Sequence, residues 1–488
     1  MELGLILCGV FVLYLRTWCG KNRHYYIIDD NVRRWDYLYV VPESSPPPTW
    51  YLTKPHPWRH FFLVLTHCLN IWVVDLLFGW QVALLFAFHP ISVNGTAWLT
   101  GGYYAVTAFL TLTALYFITT FPNIFGALVS SLFFTAALGS TITCIGFPFI
   151  FIFAGSKWGF MWIYPLVTYL FGKRFRTGFK IRNMGKKDHF TWRKPALMTK
   201  VLAYYIHNVL FPSKLAFFKE FGFKYTRCEK YKLWMDSYNK DFWVAFLVCV
   251  TFFSVAWQFS PLGTLIFFFG ISPFSQYKLL GQFVAERYLY LPNVGICLIL
   301  STMLQGYPIL LAILATAYAY RSHLYIPAFQ NIENLYKNGI QNFPNCVSNY
   351  ANLGERWLHV GETLKAYRIL EEGLILDPES FLCHTNLAAY WITVKDYERA
   401  KYHTELAIKH DGTRGFAQKI LGNQEKSLST AIENNKNIKW DIDDDKPVDS
   451  QTPSAIVDAM KDTIKEVVDE KDTITLGNNA PREEILAT

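Results

Sequence analysis

The chain has 488 residues, 52% hydrophobic and 17% aromatic, with 16 Trp, 29 Tyr, 40 Phe and a formal net charge of +8. That is too apolar for an ordinary water-soluble protein of this length, and aromatic rings in such number favour membrane interfaces. The positive charge is local: residues 172–200 hold ten Lys/Arg and one Asp amid apolar helices, which points to anionic lipid as a partner and, with no binding motif for it, away from nucleic acid.

The first apolar run, Leu3 to Leu15, lacks a basic start and a clear small-residue cleavage site. It is therefore expected to be a retained first span rather than a signal peptide. Further apolar runs lie near 60–78, 80–90, 103–121, 123–139, 141–155, 158–171, 242–259, 262–278, 291–305 and 307–325. Together they predict a mainly α, polytopic transmembrane helix bundle of about eleven spans. Several runs are shorter than the ~20 residues that a lone span needs, which a bundle tolerates when such helices pack inside it. The nine cysteines include no CxxC pair and mostly sit in these runs, so they read as small buried hydrophobes rather than ligands or disulfides.

Four polar stretches interrupt the bundle. Residues 17–59 carry Asp29-Asp30 and a stiff Pro46-Pro47-Pro48 run. Residues 88–101 carry His89-Pro90 and Asn94-Gly95-Thr96. Residues 172–241 are basic and aromatic, and residues 279–292 hold Glu286-Arg287. An amphipathic helix near 197–210, with Lys200, Tyr204, Tyr205 and His207, is expected to suit a headgroup layer. An odd number of spans puts all four stretches and the C-terminal region on one face. That conflicts with the positive-inside rule if the face is external, although long loops are partly exempt.

After the last span the period changes. Pro344, Pro378 and Gly412 are spaced by 34 residues, the tetratricopeptide (TPR) period. Leu353-Gly354, Trp357, Ala366, Leu370 and Gly373 fill the small and large positions of one repeat, and Leu387-Ala388, Trp391, Ala400 and Ala407 those of the next. The expected organisation is a membrane domain over 1–326, a short TPR solenoid over 327–425 with full repeats near 347–380 and 381–414, and an acidic tail over 426–488 without fixed order. The array reads either as a docking site for a peptide or protein or as a rigid cap over the loops. A helix around 453–469, with Ile456, Met460, Ile464 and Val467, is an alternative to plain disorder in the tail.

The candidates for chemistry are few. Asp29-Asp30 follows Tyr25-Tyr26-Ile27-Ile28, and a carboxylate against apolar surface gains proton affinity and can serve as a general base. The plainer alternative is a helix cap or loop pair. Glu286-Arg287 lies beside hydrocarbon, where ionisable groups are costly, so it is either a functional pair with Arg gripping a phosphate or an internal clamp between spans. His89 either donates to a ligand oxygen or ends its helix bonded to backbone. His67 and Asn70 fall inside the second span, where interhelical hydrogen bonds are the default role. Asn94-Gly95-Thr96 fits the glycosylation pattern, but its apolar flanks make it structural. There is no P-loop, zincin helix, GxSxG or dinucleotide fingerprint, which disfavours a soluble nucleotide donor.

These pieces together resemble the TMTC family, transmembrane and TPR protein O-mannosyltransferases, with bacterial relatives in the GT-C glycosyltransferase class. The likeness covers residues 1 to about 425. It is carried in order by Asp29-Asp30, by His67 and Asn70, by HPISVNGTAW at 89–98, by Tyr204-Tyr205 through Phe211-Pro212, by AERYLYLPNVG at 285–295, and by the repeats. Two segments depart from the family pattern. Asn94-Gly95-Thr96 replaces a Glu in a Glu-Ala/Ser-Val context, and Thr100-Gly101-Gly102-Tyr103-Tyr104 replaces a charged stretch.

The resemblance implies a polyprenyl-phosphate sugar donor, mannose among the candidates, and a hydroxyl acceptor on a protein Ser/Thr or a glycan, docked in part by the repeats. Asp29 or Asp30 would be the base and the sugar would be transferred with inversion. Arg287, Lys173, Arg174 and Arg176 would neutralise the departing phosphate, with Glu286 and His89 in support. The chemistry needs neither metal nor cofactor beyond the lipid-linked co-substrate. The expected location is the endoplasmic reticulum membrane in a eukaryote or the cytoplasmic membrane in a bacterium. The rival readings are a non-catalytic membrane scaffold that displays the repeats and a lipid-linked glycan polymerase or ligase.

Overall fold

The computed structural model describes residues 2–18, 59–98, 101–153, 158–171, 194–219, 229–276, 284–394 and 396–410. Among these residues the chain is mainly helical and contains no strand. Among the described residues, four helices are long and apolar enough to cross a membrane. They lie within Arg59–Phe78, Gly102–Thr120, Lys240–Phe259 and Pro308–Tyr325, the last extended by a 3-10 turn to Phe329. Shorter apolar helices include Glu2–Leu13, Ile124–Ser140, Pro261–Ile271 and Pro292–Met303.

We number the helices used below in chain order: α1 Glu2–Leu13, α2 Arg59–Phe78, α3 Trp80–Phe88, α4 Ser92–Ala97, α5 Gly102–Thr120, α6 Ile124–Ser140, α7 Lys194–Leu210, α8 Lys240–Phe259, α9 Pro261–Ile271, α10 Pro292–Met303, α11 Pro308–Tyr325, α12 Ile332–Asn342, α13 Val347–His359, α14 Thr363–Leu376, α15 Phe381–Thr393 and α16 Tyr397–His410.

One apolar run behaves differently from the sequence expectation. The run at 141–155 breaks into the short pieces Ile142–Cys144 and Pro148–Phe153, while in the run at 158–171 a 3-10 turn, Gly159–Trp162, leads directly into the helix Ile163–Phe171. Thr141 starts the first break in extended backbone, and its hydroxyl accepts the Thr143 N–H at 3.4 Å. Pro148 then restricts the residue before it and opens the next piece.

Helix ends are set by local chemistry. Asn123 and Asn239 accept the N–H groups of Gly126 (3.0 Å) and Phe242 (3.1 Å) at the starts of α6 and α8. Ser260 ends α8 and caps α9, accepting the Gly263 N–H at 3.1 Å ahead of Pro261. Pro292 and Pro308 occupy the first turns of α10 and α11.

Burial separates central from peripheral spans. The α5 span has 61% of its apolar window buried and the α8 span only 22%. Trp243, Val244, Leu247 and Val248 of α8 point outward. A stripe of that kind is untenable in water and natural against lipid tails.

Helices α12 to α16 follow the last long span as successive antiparallel neighbours with their own core of Tyr336, Tyr350, Leu353, Leu370, Leu387 and Trp391. The turn between α13 and α14 uses Gly361 at φ 84°, where a side chain would be strained. Small residues set the helix spacing. A Cβ on Gly354 would stand 2.5 Å from Leu370, and Ala366, Ala388 and Ala407 are fully buried.

The expectation of α7 in a headgroup layer needs correcting. Lys200 and Tyr205 turn inward. The Lys200 ammonium donates to the carbonyls of Trp234 (2.6 Å), Ser237 (3.1 Å) and Met235 (3.3 Å) at the end of the short helix Glu229–Met235. Those helix-terminal carbonyls carry partial negative charge and accept the ammonium's protons.

Candidate functional site at Glu286-Arg287

Segment 284–291 enters the protein interior in extended form at Ala285, makes a 3-10 turn over Glu286–Leu289 and runs into α10 through Pro292. Its side chains meet several other stretches. Tyr290 reaches α2, where its hydroxyl lies 2.6 Å from His67 Nδ1. His67 Nε2 lies 3.2 Å from the Ala87 carbonyl. A carbonyl only accepts, so Nε2 carries the proton and Nδ1 accepts from Tyr290. Asn70, one turn further along α2, donates to the carbonyls of Thr66 and Ala105, both at 2.9 Å.

The 89–98 stretch packs over the same segment. Gly95 lies flat under the Tyr290 ring, where a Cβ would come within 2.6 Å of Cδ2. Asn94 Nδ2 faces Glu286 Oε2 at 3.5 Å, and Asn94, Gly95 and Thr96 are all buried. Buried in this way, the tripeptide is part of the fold.

Glu286 is fully buried and its partner is Lys219, with Nζ 2.6 Å from Oε1 and both side chains shut off from solvent. The Ala216 N–H also donates to Oε1 at 3.3 Å. Burial pulls the Lys219 ammonium down, but the Glu286 carboxylate and the Tyr204 hydroxyl more than offset it and hold Lys219 above its ordinary range. Paired charges of this kind survive in a low-dielectric interior only because each neutralises the other.

Arg287 points the other way, into aromatic rings. Its guanidinium carbon lies 5.0 Å from the Tyr288 ring and 5.3 Å from the rings of Trp98 and Phe217. Trp98 and Phe217 meet edge to face at 4.7 Å, and Tyr288 stacks on Phe274 at 4.1 Å. Burial works against the Arg287 charge, yet Tyr288 and Tyr104 offset it and raise the guanidinium further. A planar cation framed by π faces stays charged and keeps its orientation, and it suits an anion with two oxygens to offer.

Of the residues singled out from sequence, Glu286, Arg287 and His89 are described. Glu286 and Arg287 do share a site, but Glu286 is clamped to Lys219. His89 stands apart. Its Nε2 donates to the Val209 carbonyl at 3.0 Å and its Nδ1 accepts the Ile91 N–H at 3.2 Å. Both ring nitrogens are committed to backbone, so His89 fastens α4 to the end of α7 and has no donor left for a ligand. Asp29, Asp30, Lys173, Arg174 and Arg176 lie outside the described residues.

Sequence reasoning did not single out Lys219 or Phe217. Lys219 closes the apolar run Leu215-Ala216-Phe217-Phe218 with Lys214 before it and Glu220 after it, so nothing in the sequence marks it as the cation that turns inward.

No protein-family model, curated protein or solved structure matches this chain.

Proposed function

We propose that this chain is a membrane glycosyltransferase of the GT-C class that moves a sugar from a polyprenyl-phosphate donor to a hydroxyl acceptor with inversion. The observation that carries the reading is convergence. Three of the segments on which the family resemblance rests come together around the fourth, 285–295. His67 bonds Tyr290, Gly95 packs on Tyr290, Asn94 faces Glu286, and the Tyr204 ring lies 5.2 Å from Lys219, the partner of Glu286. Segments so far apart in sequence meet where a half-buried guanidinium is framed by aromatic rings.

In this reading Arg287, assisted by Lys173, Arg174 and Arg176, holds the phosphate of the lipid donor. Asp29 or Asp30 takes the proton from the acceptor hydroxyl as its oxygen attacks the anomeric carbon. The C–O bond to the phosphate breaks on the opposite face and its electron pair leaves with the lipid monophosphate. Placement of the two substrates and neutralisation of the leaving oxygen supply most of the acceleration. The apolar segments are read as about eleven spans over 1–326. Helices α12–α16 are read as tetratricopeptide pairs within 327–425 that dock a protein or glycan acceptor, and 426–488 as an acidic tail. The acceptor is a protein Ser/Thr hydroxyl in the first instance.

The test is transfer from polyprenyl-phosphate mannose in proteoliposomes by the wild type, Asp29→Asn and Asp30→Asn. Loss in one of the two variants supports the reading, and full transfer in both defeats the base assignment. A second reading, a non-catalytic scaffold displaying α12–α16, draws on Asn94-Gly95-Thr96, which stands where the resembled family carries a Glu. It requires both carboxylate variants to be silent and Trp357→Ala to weaken partner binding.

A further inference from the structure

The stretch 211–219, between α7 and the short helix Glu229–Met235, is not helical and bends at Phe217. Phe217 lies against Trp98 and Arg287, and Lys219 pairs with Glu286. Between them, Phe218 meets the Phe217 ring edge to face at 4.8 Å and stacks on Tyr336 of α12 at 6.1 Å. Phe218 packs against both the core of the membrane helices and that of α12–α16.

The backbone of the same strap is held from the C-terminal side. Asn338 of α12 donates to the Leu215 carbonyl at 2.9 Å and Asn349 of α13 to the Phe218 carbonyl at 3.5 Å. Phe343, just past α12, covers Lys219 with its ring at 5.4 Å. Arg321 of α11 anchors the strap's beginning through the carbonyls of Ser213 (2.6 Å) and Pro212 (3.1 Å).

We propose that the strap 211–219 couples the seating of α12 and α13 to the Arg287 site, with Phe217 and Lys219 as positioning residues. This rests on the reading of Arg287 as a phosphate-binding group. The side chain that touches α12, Phe218, directly adjoins the two that touch the site, Phe217 and Lys219, so the strap has no slack to absorb a displacement. At its site end it meets two contacts intolerant of a gap. A buried ion pair is either closed or costly, and the Phe217 ring is one wall of the frame around Arg287. A shift of α12 therefore reaches Glu286 and Arg287 through tightly packed atoms, which is how coupling between sites is carried.

The experiment alters the strap from the far side. Tyr336→Ala combined with Asn338→Ala removes the ring under Phe218 and the donor to Leu215 without touching Glu286 or Arg287. Asn338→Ala alone serves if the double variant does not fold, and Tyr402→Ala, at an exposed position of α16, is the control. Two quantities are read in detergent: amide exchange over 284–291, and affinity for sugar-free polyprenyl phosphate by calorimetry. The expected result is faster exchange over 284–291 and roughly 2- to 30-fold weaker binding, the range of coupling along packed networks, with the control at wild-type values. Faster exchange in 211–219 with wild-type exchange at 284–291 and unchanged affinity would overturn the coupling. Should the wild type bind no polyprenyl phosphate, the phosphate reading of Arg287 fails, and the exchange measurement alone decides whether the strap transmits.

Discussion

Lys219 and Glu286 meet at 2.6 Å with both side chains buried, whereas His384 of α15 and His403 of α16 meet at 2.9 Å between their Nδ1 atoms. In the first pair opposite charges neutralise each other, so both ions persist away from water. In the second the two groups carry the same sign when protonated, so the contact requires neutrality. His384 Nε2 lies 3.0 Å from the Pro378 carbonyl and must donate to it, which leaves Nδ1 to accept the His403 proton. Burial and then the neighbouring His384 push the His403 imidazole down to about 4, and burial and then His410 lower His384. His410 stacks near His384 at 6.4 Å and faces Glu379 at 3.9 Å, and Arg399 adds further positive charge beside His403. One region thus holds its polar contact by charge and the other by the absence of charge.

The largest effect should come from unbalancing the first pair. Lys219→Met leaves a buried carboxylate without its cation and should cost about 3–5 kcal/mol of stability, read from denaturation in detergent. Lys219→Met with Glu286→Leu removes both ions and should recover most of that loss. Equal losses in the single and double variants would mean that charge balance is not what the pair supplies.

Acid should separate the two regions next. Both His384 and His403 have folded pKa values below the ordinary 6.5, so the unfolded form binds more protons. Their contribution to stability is therefore complete above pH 6.5 and is lost as pH falls toward about 4. Lys219 is shifted the other way, so its contribution holds throughout that window and declines only in strong alkali. Amide protection over 381–410 should fall between pH 6.5 and 4 while that over 284–291 changes less. Parallel loss in both regions would erase the distinction drawn here.

The smallest effect concerns the rim of α15–α16. Arg399 lies 4.5 Å over the Trp391 ring, but its side chain is 53% exposed. Arg399→Ala should cost no more than about 1 kcal/mol. A larger loss would show that α16 depends on its surface contacts more than on Ala400 and Ala407.

Much of the helical layout was readable because long apolar runs are a direct hydropathy signal. The positions of α2, α5, α8 and α11 follow from hydropathy alone. The breaks within 141–155 were not readable, since they depend on how Thr141 and Pro148 pack, and hydropathy does not see a turn buried in protein. At the site, Glu286 and Arg287 were conspicuous as charges beside hydrocarbon. Their partners were not, because Lys219 and Trp98 reach them only through the fold. Lys200 marks the converse case: read as a headgroup contact, it is taken up by backbone carbonyls that no sequence pattern marks, whereas His89 takes the helix-ending, backbone-bonded role that its position already offered.

The most direct measurement compares the wild type with Arg287→Ala and Arg287→Lys for transfer of labelled mannose from polyprenyl phosphate, at matched folded protein. Transfer by the wild type, a fall of roughly 100-fold or more in Arg287→Ala and partial retention in Arg287→Lys are the predicted results, as for removal of one group that stabilises a leaving anion. Undiminished transfer by Arg287→Ala would contradict the role given to this guanidinium.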